Sequence, residues 1–348
     1  MTYLSGMQKR YAVIAIGGNA ILRKNQIADP ATQMANIRRA VDSLVVALDR
    51  YSAFALTHGN GPQVGNDLIR SYCAWDNEKL PELGLTDCVA NTQGRIGHWI
   101  VREMKNHLRF RHHPVACVLT HVYVEKDEFT REEYTKYVGP WRPNNEKTRR
   151  ALDDRGIVYR SPDGVTDKIR RVVPSPNPYA IEEFGTIAAL LENGVITICC
   201  GGGGIPVFDP TRGKQADRFP GDSFRQSEVV IDKDRASALL AANLLAFFDG
   251  AEVELVILME AKGLYRDARC REEDFIPKMT LAELEVFLQS DELDPGSIRP
   301  KLEAIQYFLA KGGRRAFLGP LSEYEKVYDP GSTVGTVFVQ SAQLGLYD

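Results

Sequence analysis

Residues 11–20 read YAVIAIGGNA, a six-residue apolar run from Tyr11 to Ile16 that ends on Gly17-Gly18-Asn19-Ala20. The run has the length of a strand, and the glycine pair behind it stops the pattern abruptly. The same grammar recurs along the chain. Further strand-length apolar runs occupy Ser52 to Thr57, Val115 to Thr120, Val195 to Cys200, Val253 to Met259, Arg315 to Leu318 and Thr336 to Val339. Amphipathic stretches separate them. Between the first two runs Met34, Ile37, Val41, Leu44, Val45 and Leu48 recur at helical spacing, so this crossover buries one face on the sheet. Strands alternating with helices predict an α/β fold with a mainly parallel sheet.

In such sheets ligands sit outside the carboxyl ends of the strands. Those positions hold Gly17-Gly18-Asn19-Ala20, then His58-Gly59-Asn60-Gly61-Pro62-Gln63-Val64-Gly65, then Gly201-Gly202-Gly203-Gly204-Ile205-Pro206. Glycine lets backbone N–H groups approach an anion with no Cβ in the way, and a helix starting just beyond adds its free N–H groups and dipole. Pro62 suits the first turn of such a helix. One glycine loop would be an ordinary tight turn, but three at strand ends point to an anion held jointly. There is no Gly-x-x-x-x-Gly-Lys-[Ser/Thr] and no Gly-x-Gly-x-x-Gly after the first strand, which disfavours P-loop and dinucleotide-binding enzymes.

Two lysines stand where helix stability does not want them. Asp232 is placed to cap an alanine- and leucine-rich helix with Lys233 in its first turn, and Ser297 is placed to cap a helix that carries Lys301 in its first turn and Ile298, Leu302, Ile305 and Leu309 on its core face. A cation at a helix N-terminus opposes the dipole, and a bound phosphate would explain the choice. Positioned positive charge around a transferring phosphoryl group is what phosphoryl transfer needs.

Two segments break the rhythm. Glu125 to Arg171 is polar and poor in periodic apolar residues, reads as an inserted subdomain or lid, and runs on into the proline-rich stretch Pro174 to Pro178; Phe208 to Ser227 reads as a long surface loop. The chain of 348 residues is 44% hydrophobic and 26% charged with a net charge of −3, a globular composition without the basic field of a nucleic-acid binder. No apolar stretch reaches 18 residues and the first eight are too short and polar for a signal peptide, so the expected address is the cytoplasm, with no membrane partner. The cysteines at 73, 88, 117, 199, 200 and 270 form no Cys-x-x-Cys, which disfavours a structural metal. Cys117, Cys199 and Cys200 lie in apolar runs and are expected to be buried.

The segments IAIGGNAIL, THGNGPQVG, NTQGRIG, TKYVG, VVPSPNP, CGGGGIPV, VVIDKD and GSIRPKLEAI resemble, in order, the signature segments of carbamate kinases in the amino acid kinase superfamily, over about Tyr11 to Val339. The resemblance implies a three-layer αβα sandwich, a homodimer, an N-terminal lobe (1–205, with the lid at about 125–171) for carbamate or carbamoyl phosphate, and a C-terminal lobe (206–348) for ATP or ADP with Mg²⁺. It implies the reversible reaction of ATP and carbamate to ADP and carbamoyl phosphate. It places Gly17, Gly18, Asn19, Gly59, Asn60, Gly61 and Gln63 at the acceptor, and Gly201, Gly202, Gly203, Met259, Glu260 and Arg299 with the lysines at the nucleotide. Lys233 and Lys301 would stabilise the transferring group, Asp234 would orient them, and Lys136 would reach down from the lid.

The sequence departs from the family's pattern at Met259-Glu260, usually Thr-Asp, at Arg299, usually glycine, at Tyr137, usually proline, and in the length of the 208–227 loop. The alternatives are a related kinase acting on another small acid, or a protein that binds carbamoyl phosphate or nucleotide without turnover.

Overall fold

The computed structural model describes residues 8–23, 25–125, 128–162, 164–209, 224–266, 271–290, 298–329 and 332–341. Eight strands form the main sheet: β1 (Arg10–Ile16), β2 (Ala53–His58), β3 (Val115–Cys117), β4 (Ile196–Ile198), β5 (Glu252–Met259), β6 (Lys278–Thr280), β7 (Arg315–Pro320) and β8 (Thr336–Val339). Their order across the sheet is β6-β8-β7-β5-β1-β2-β4-β3. Every neighbouring pair is parallel except β7 with β8. The seven apolar runs of the sequence all became strands of this one sheet. The exception is β6, whose three residues Lys-Met-Thr carry no apolar run to read.

The helices are α1 (Pro30–Ser43), α2 (Val45–Arg50), α3 (Gly61–Glu78), α4 (Leu85–Asn106), α5 (Glu146–Asp153), α6 (Phe184–Glu192), α7 (Lys233–Phe247), α8 (Leu281–Phe287) and α9 (Arg299–Ala310). Because side chains alternate across a strand, Tyr11, Val13, Ala15, Leu255 and Ile257 share one face of the sheet and pack with α6, α7, α8 and α9. Ala12, Ile14, Ile16, Val256 and Leu258 share the other and pack with α1 and α4. The result is the three-layer αβα sandwich. The first crossover is broken at Leu44 into α1 and α2, yet Ile37, Val41 and Leu44 are buried as their spacing predicts.

The pairing registers decide where the site lies. Ile16 sits opposite His58 on one side and Leu258 on the other, so the chain leaves β1, β2 and β5 at the same edge of the sheet.

The lid segment has more structure than its polarity suggests. Tyr134–Pro143, Tyr159–Arg160 and Lys168–Pro174 form a three-stranded antiparallel sheet, so the unit extends past Arg171. Val138 and Val173 are buried with Val64 and Leu68 of α3. The alternation is masked in the sequence because charged residues fill the intervening positions. A second small sheet joins Arg225–Gln226, Ile205–Phe208, His121–Val124 and Pro178–Ile181. The ends of the 208–227 loop pair as Val207 with Gln226 and Phe208 with Arg225; residues 210–223 between them lie outside the described residues. Cys199 and Cys200 are buried as expected, whereas Cys117, on the edge strand, is exposed. Cys270 lies outside the described residues. Among the described residues no helix is long and apolar enough to cross a membrane.

The glycine run after β4 is required by packing. Gly203 has φ +97°, and a Cβ there would overlap the carbonyl oxygen of Ile231 just before α7. Gly185, at the start of α6, faces open space. Gly203→Ala is expected to lose about 2–4 kcal/mol through backbone strain and overpacking. Gly185→Ala is expected to be neutral or to gain up to about 1 kcal/mol of helix propensity. Urea unfolding of both variants measures the contrast.

Candidate active site

The carboxyl edge of the sheet opens into a cleft of about 920 Å³ lined by Gly17, Gly18, Asn19, Lys233, Leu258, Met259, Glu260 and Lys301, with Arg23 and Arg39 on its α1 side and Leu321 and Ser322 on another. At its foot stands Asp234, whose side chain is 2% exposed. Its Oδ1 is ion-paired with Lys233 Nζ, and its Oδ2 with Lys301 Nζ at 3.1 Å.

The sequence explains the local geometry. Asp232 caps α7 by accepting from the Asp234 N–H at 2.9 Å, as its position predicts, and this starts the helix at Lys233. Ser237 Oγ, one turn on, bonds Thr57 Oγ1 of β2 at 2.7 Å, which fixes the helix start against the sheet edge. Arg235 pairs with Glu303 at 2.8 Å and ties α7 to α9, so the two lysine-bearing helices hold a common position. Ser297, expected to cap α9, lies outside the described residues; α9 begins at Arg299 with Pro300 in its first turn.

The other capping oxygen of Asp232 accepts from Lys136 Nζ of the lid sheet at 3.1 Å. Burial pushes the Asp232 carboxyl up, but the Lys136 and Lys233 ammonium groups and the Asp234 N–H outweigh it and hold the pKa at about 2. Three ammonium groups and two carboxylates in contact leave a net charge of +1 facing the cleft and lid. Such a surplus suits an anionic ligand. Beside them, burial lowers the His58 pKa to about 4, the Gly59 carbonyl opposes this, and Lys233 lowers it further. His58 is therefore neutral near pH 7.

A model of the amino acid kinase family matches residues 10–319, nearly the whole of the described sheet. The chain belongs to this family. Carbamate kinase 1 of Enterococcus faecium is 36% identical over 332 residues, covering 93% of this chain and 97% of that one. A carbamate kinase-like protein of Escherichia coli is 33% identical, covering 89% and 93%. Among solved structures, a carbamate kinase from Giardia lamblia bound to AMP-PNP superposes with a TM-score of 0.80 at 29% identity, covering 95% of this chain and 98% of that chain.

In this member of the amino acid kinase family the site residues named from the sequence divide into groups. Gly17, Gly18, Asn19, Met259, Glu260, Lys233 and Lys301 share the cleft, where Asn19 Nδ2 donates to Glu260 Oε2 at 3.1 Å. Asn60, Gly61, Gly202 and Lys136 line a separate cavity of about 90 Å³ under the lid. Gly59 lines neither; a Cβ there would lie 2.8 Å from the Gly18 nitrogen, so glycine is what lets the two loops touch. Gly201 and Gly203 are buried in packing, Gly201 against His58 and Gln93. Gln63 is buried with its Nε2 on Gln33 Oε1 at 2.8 Å. Arg299 turns its guanidinium to the carbonyls of Leu288 (3.0 Å) and Ser290 (2.8 Å), joining α8 to α9. Arg23, Arg39, Leu321 and Ser322 escape a search of strand ends because they come from elsewhere in the fold. Among the described residues no group of three or more His, Cys, Asp or Glu could hold a metal ion.

His58 gives the site kinase a pH signature. Unfolded, a histidine binds its proton near pH 6.5, and folded His58 does not bind one until about pH 4. Its contribution to stability is full above pH 6.5 and falls as the pH drops towards 4, because the unfolded state then binds more protons. Stability measured across this window should fall less steeply in His58→Gln than in the parent protein.

Proposed function

We propose that this member of the amino acid kinase family is a carbamate kinase-like phosphotransferase, catalysing ATP + carbamate ⇌ ADP + carbamoyl phosphate. The observation that carries the reading is the pair Lys233 and Lys301 held on one buried carboxylate, Asp234, beside Gly17, Gly18 and Asn19. The names of the relatives and the AMP-PNP in the Giardia structure agree with it.

In this reading the nucleotide lies in the 920 Å³ cleft, along Met259 and Glu260, and the acceptor lies in the smaller cavity beside Asn60 and Gly61. A carbamate oxygen forms a bond to the γ-phosphorus while the bond to the β–γ bridging oxygen breaks, and the electron pair leaves on ADP. The nucleophile is already an anion, so no general base is needed. The protein's work is alignment and charge: Lys233 and Lys301 bind the equatorial phosphoryl oxygens, and Asp234 fixes both lysines before the substrates arrive.

The two glycine loops supply N–H groups at close range. Asn60 Nδ2 is committed to Thr92 Oγ1 at 2.8 Å, which leaves its Oδ1 to accept from the carbamate amino group. Lys136, on the lid, closes over the acceptor. Magnesium comes as part of the nucleotide substrate, on phosphate oxygens and water; the carboxylates lining the cleft, Asp42 and Glu260, are oxygen ligands of the kind it prefers. The reading also carries a homodimer in the cytoplasm, which sedimentation and fractionation test.

Mixing the protein with carbamoyl phosphate and Mg-ADP should yield ATP, and absence of ATP with a folded protein overturns the reading. Lys233→Ala and Lys301→Ala should each lower kcat by a factor of about 10² or more with the fold retained, since one positioned donor in such a site is worth about 3–4 kcal/mol. Near-parental turnover in Lys301→Ala removes that residue from the mechanism.

A further inference from the structure

The cavity of about 90 Å³ under the lid has an arginine on its wall that the strand-end search does not find. Arg170, on the lid strand Lys168–Pro174, lines it together with Lys136, Tyr137, Asn60, Gly61 and Gly202. No carboxylate is among the lining residues. The Nε of Arg170 is buried and has no hydrogen-bond partner. Burial also lowers its pKa, the mark of a desolvated cation that no neighbouring anion compensates. Its guanidinium carbon lies 5.3 Å from the centre of the Trp141 ring, and Trp141 in turn lies 5.2 Å from Tyr137. Tyr137 is held in place by its OH donating to the Ser161 carbonyl at 3.0 Å.

Burying a guanidinium donor without a partner costs free energy. An aromatic wall steadies the guanidinium through cation–π contact and leaves the rim of its fork for a ligand. The neighbouring Lys136 is already on Asp232, so Arg170 is the uncompensated cation of this cavity. A water needs about 10–15 Å³ of such space, so the cavity has room for a planar anion of a few heavy atoms. Carboxylate is the group whose two oxygens match the guanidinium fork.

We propose that Arg170 is an acceptor-binding residue, gripping the carboxylate of a carbamate-sized acid, or the corresponding carbonyl end of its phosphorylated product, in the cavity under the lid. This rests on the kinase reading for the identity of the acid. The lid strand thus carries two cations with different tasks: Lys136 joins the lid to the helix start at Asp232, and Arg170 fixes the orientation of the acceptor. It also accounts for the lid's hydrophobic anchoring on α3, because a fork can select an acceptor only if its strand is held in place.

The test uses the full chain with Arg170→Lys, which keeps the charge and loses the fork, and Arg170→Gln, which loses both. ATP formation is measured against carbamoyl phosphate and Mg-ADP, with calorimetric titration of carbamoyl phosphate alongside. The KM for carbamoyl phosphate should rise about 10-fold in Arg170→Lys and about 100-fold in Arg170→Gln, the range expected from losing one or two charge-assisted bonds. The KM for ADP should stay within about twofold, which a general loosening of the structure would not spare. An unchanged KM for carbamoyl phosphate in folded Arg170→Lys overturns the proposal. If the parent makes no ATP, the kinase reading fails separately. Calorimetry then decides: binding by the parent that is lost in the variants upholds the Arg170 site, and equal binding or none by the parent overturns it.

Discussion

The carboxylate of Asp234 accepts from two ammonium groups that come from different helices, and the arrangement of the site depends on that contact. Without a partner, two lysines at adjoining helix starts would repel each other and oppose both helix dipoles. A carboxylate that is 2% exposed costs desolvation, and the two cations offset it; removing one member of such a buried group leaves an uncompensated charge worth about 3–5 kcal/mol. Asp234 therefore holds the lysines in readiness while no phosphate is bound. Its own position comes from the Asp232 cap and from the Thr57–Ser237 bond to the sheet.

Parallel pairing is what brings these groups to one place. Because β1, β2 and β5 run the same way with Ile16, His58 and Leu258 in register, their following loops emerge side by side. The contact of Gly59 with Gly18 then divides the edge into an open cleft on one side and a small cavity on the other. The partition suits a reaction between a large polyanion and a small acid. Asp232 bridges the two, bonded to Lys136 of the lid while lying next to Lys233 in the chain.

The lid owes its position to apolar contacts as well as to charge. Val138 and Val173 pack on Val64 and Leu68 of α3, the helix that begins at Gly61. The same helix thus presents its N-terminus to the acceptor cavity and its flank to the lid. A shift of the lid strands would be felt at Gly61 through that packing, which links closure to the acceptor end by contiguous side chains.

Much was legible in the sequence alone. Seven apolar runs gave seven of the eight main strands because a strand buried on both faces must be apolar throughout, and periodicity reports this directly. The glycine loops and the two lysines that oppose their helix dipoles were visible for the same reason: each violates a local preference that folding by itself would have satisfied. Other features depended on neighbours distant in the chain. Arg299 reads as a phosphate ligand beside Lys301, but it bonds the carbonyls that end α8, a partner only tertiary packing could supply. Gly201 and Gly203 look like an anion cradle, and each is instead pressed against another segment. Arg170, one more charge in a polar lid as far as the sequence goes, became distinctive only when its strand buried it without an anion. Local pattern records which residues can form strands, caps and turns; burial and charge compensation are set by what the fold places opposite them.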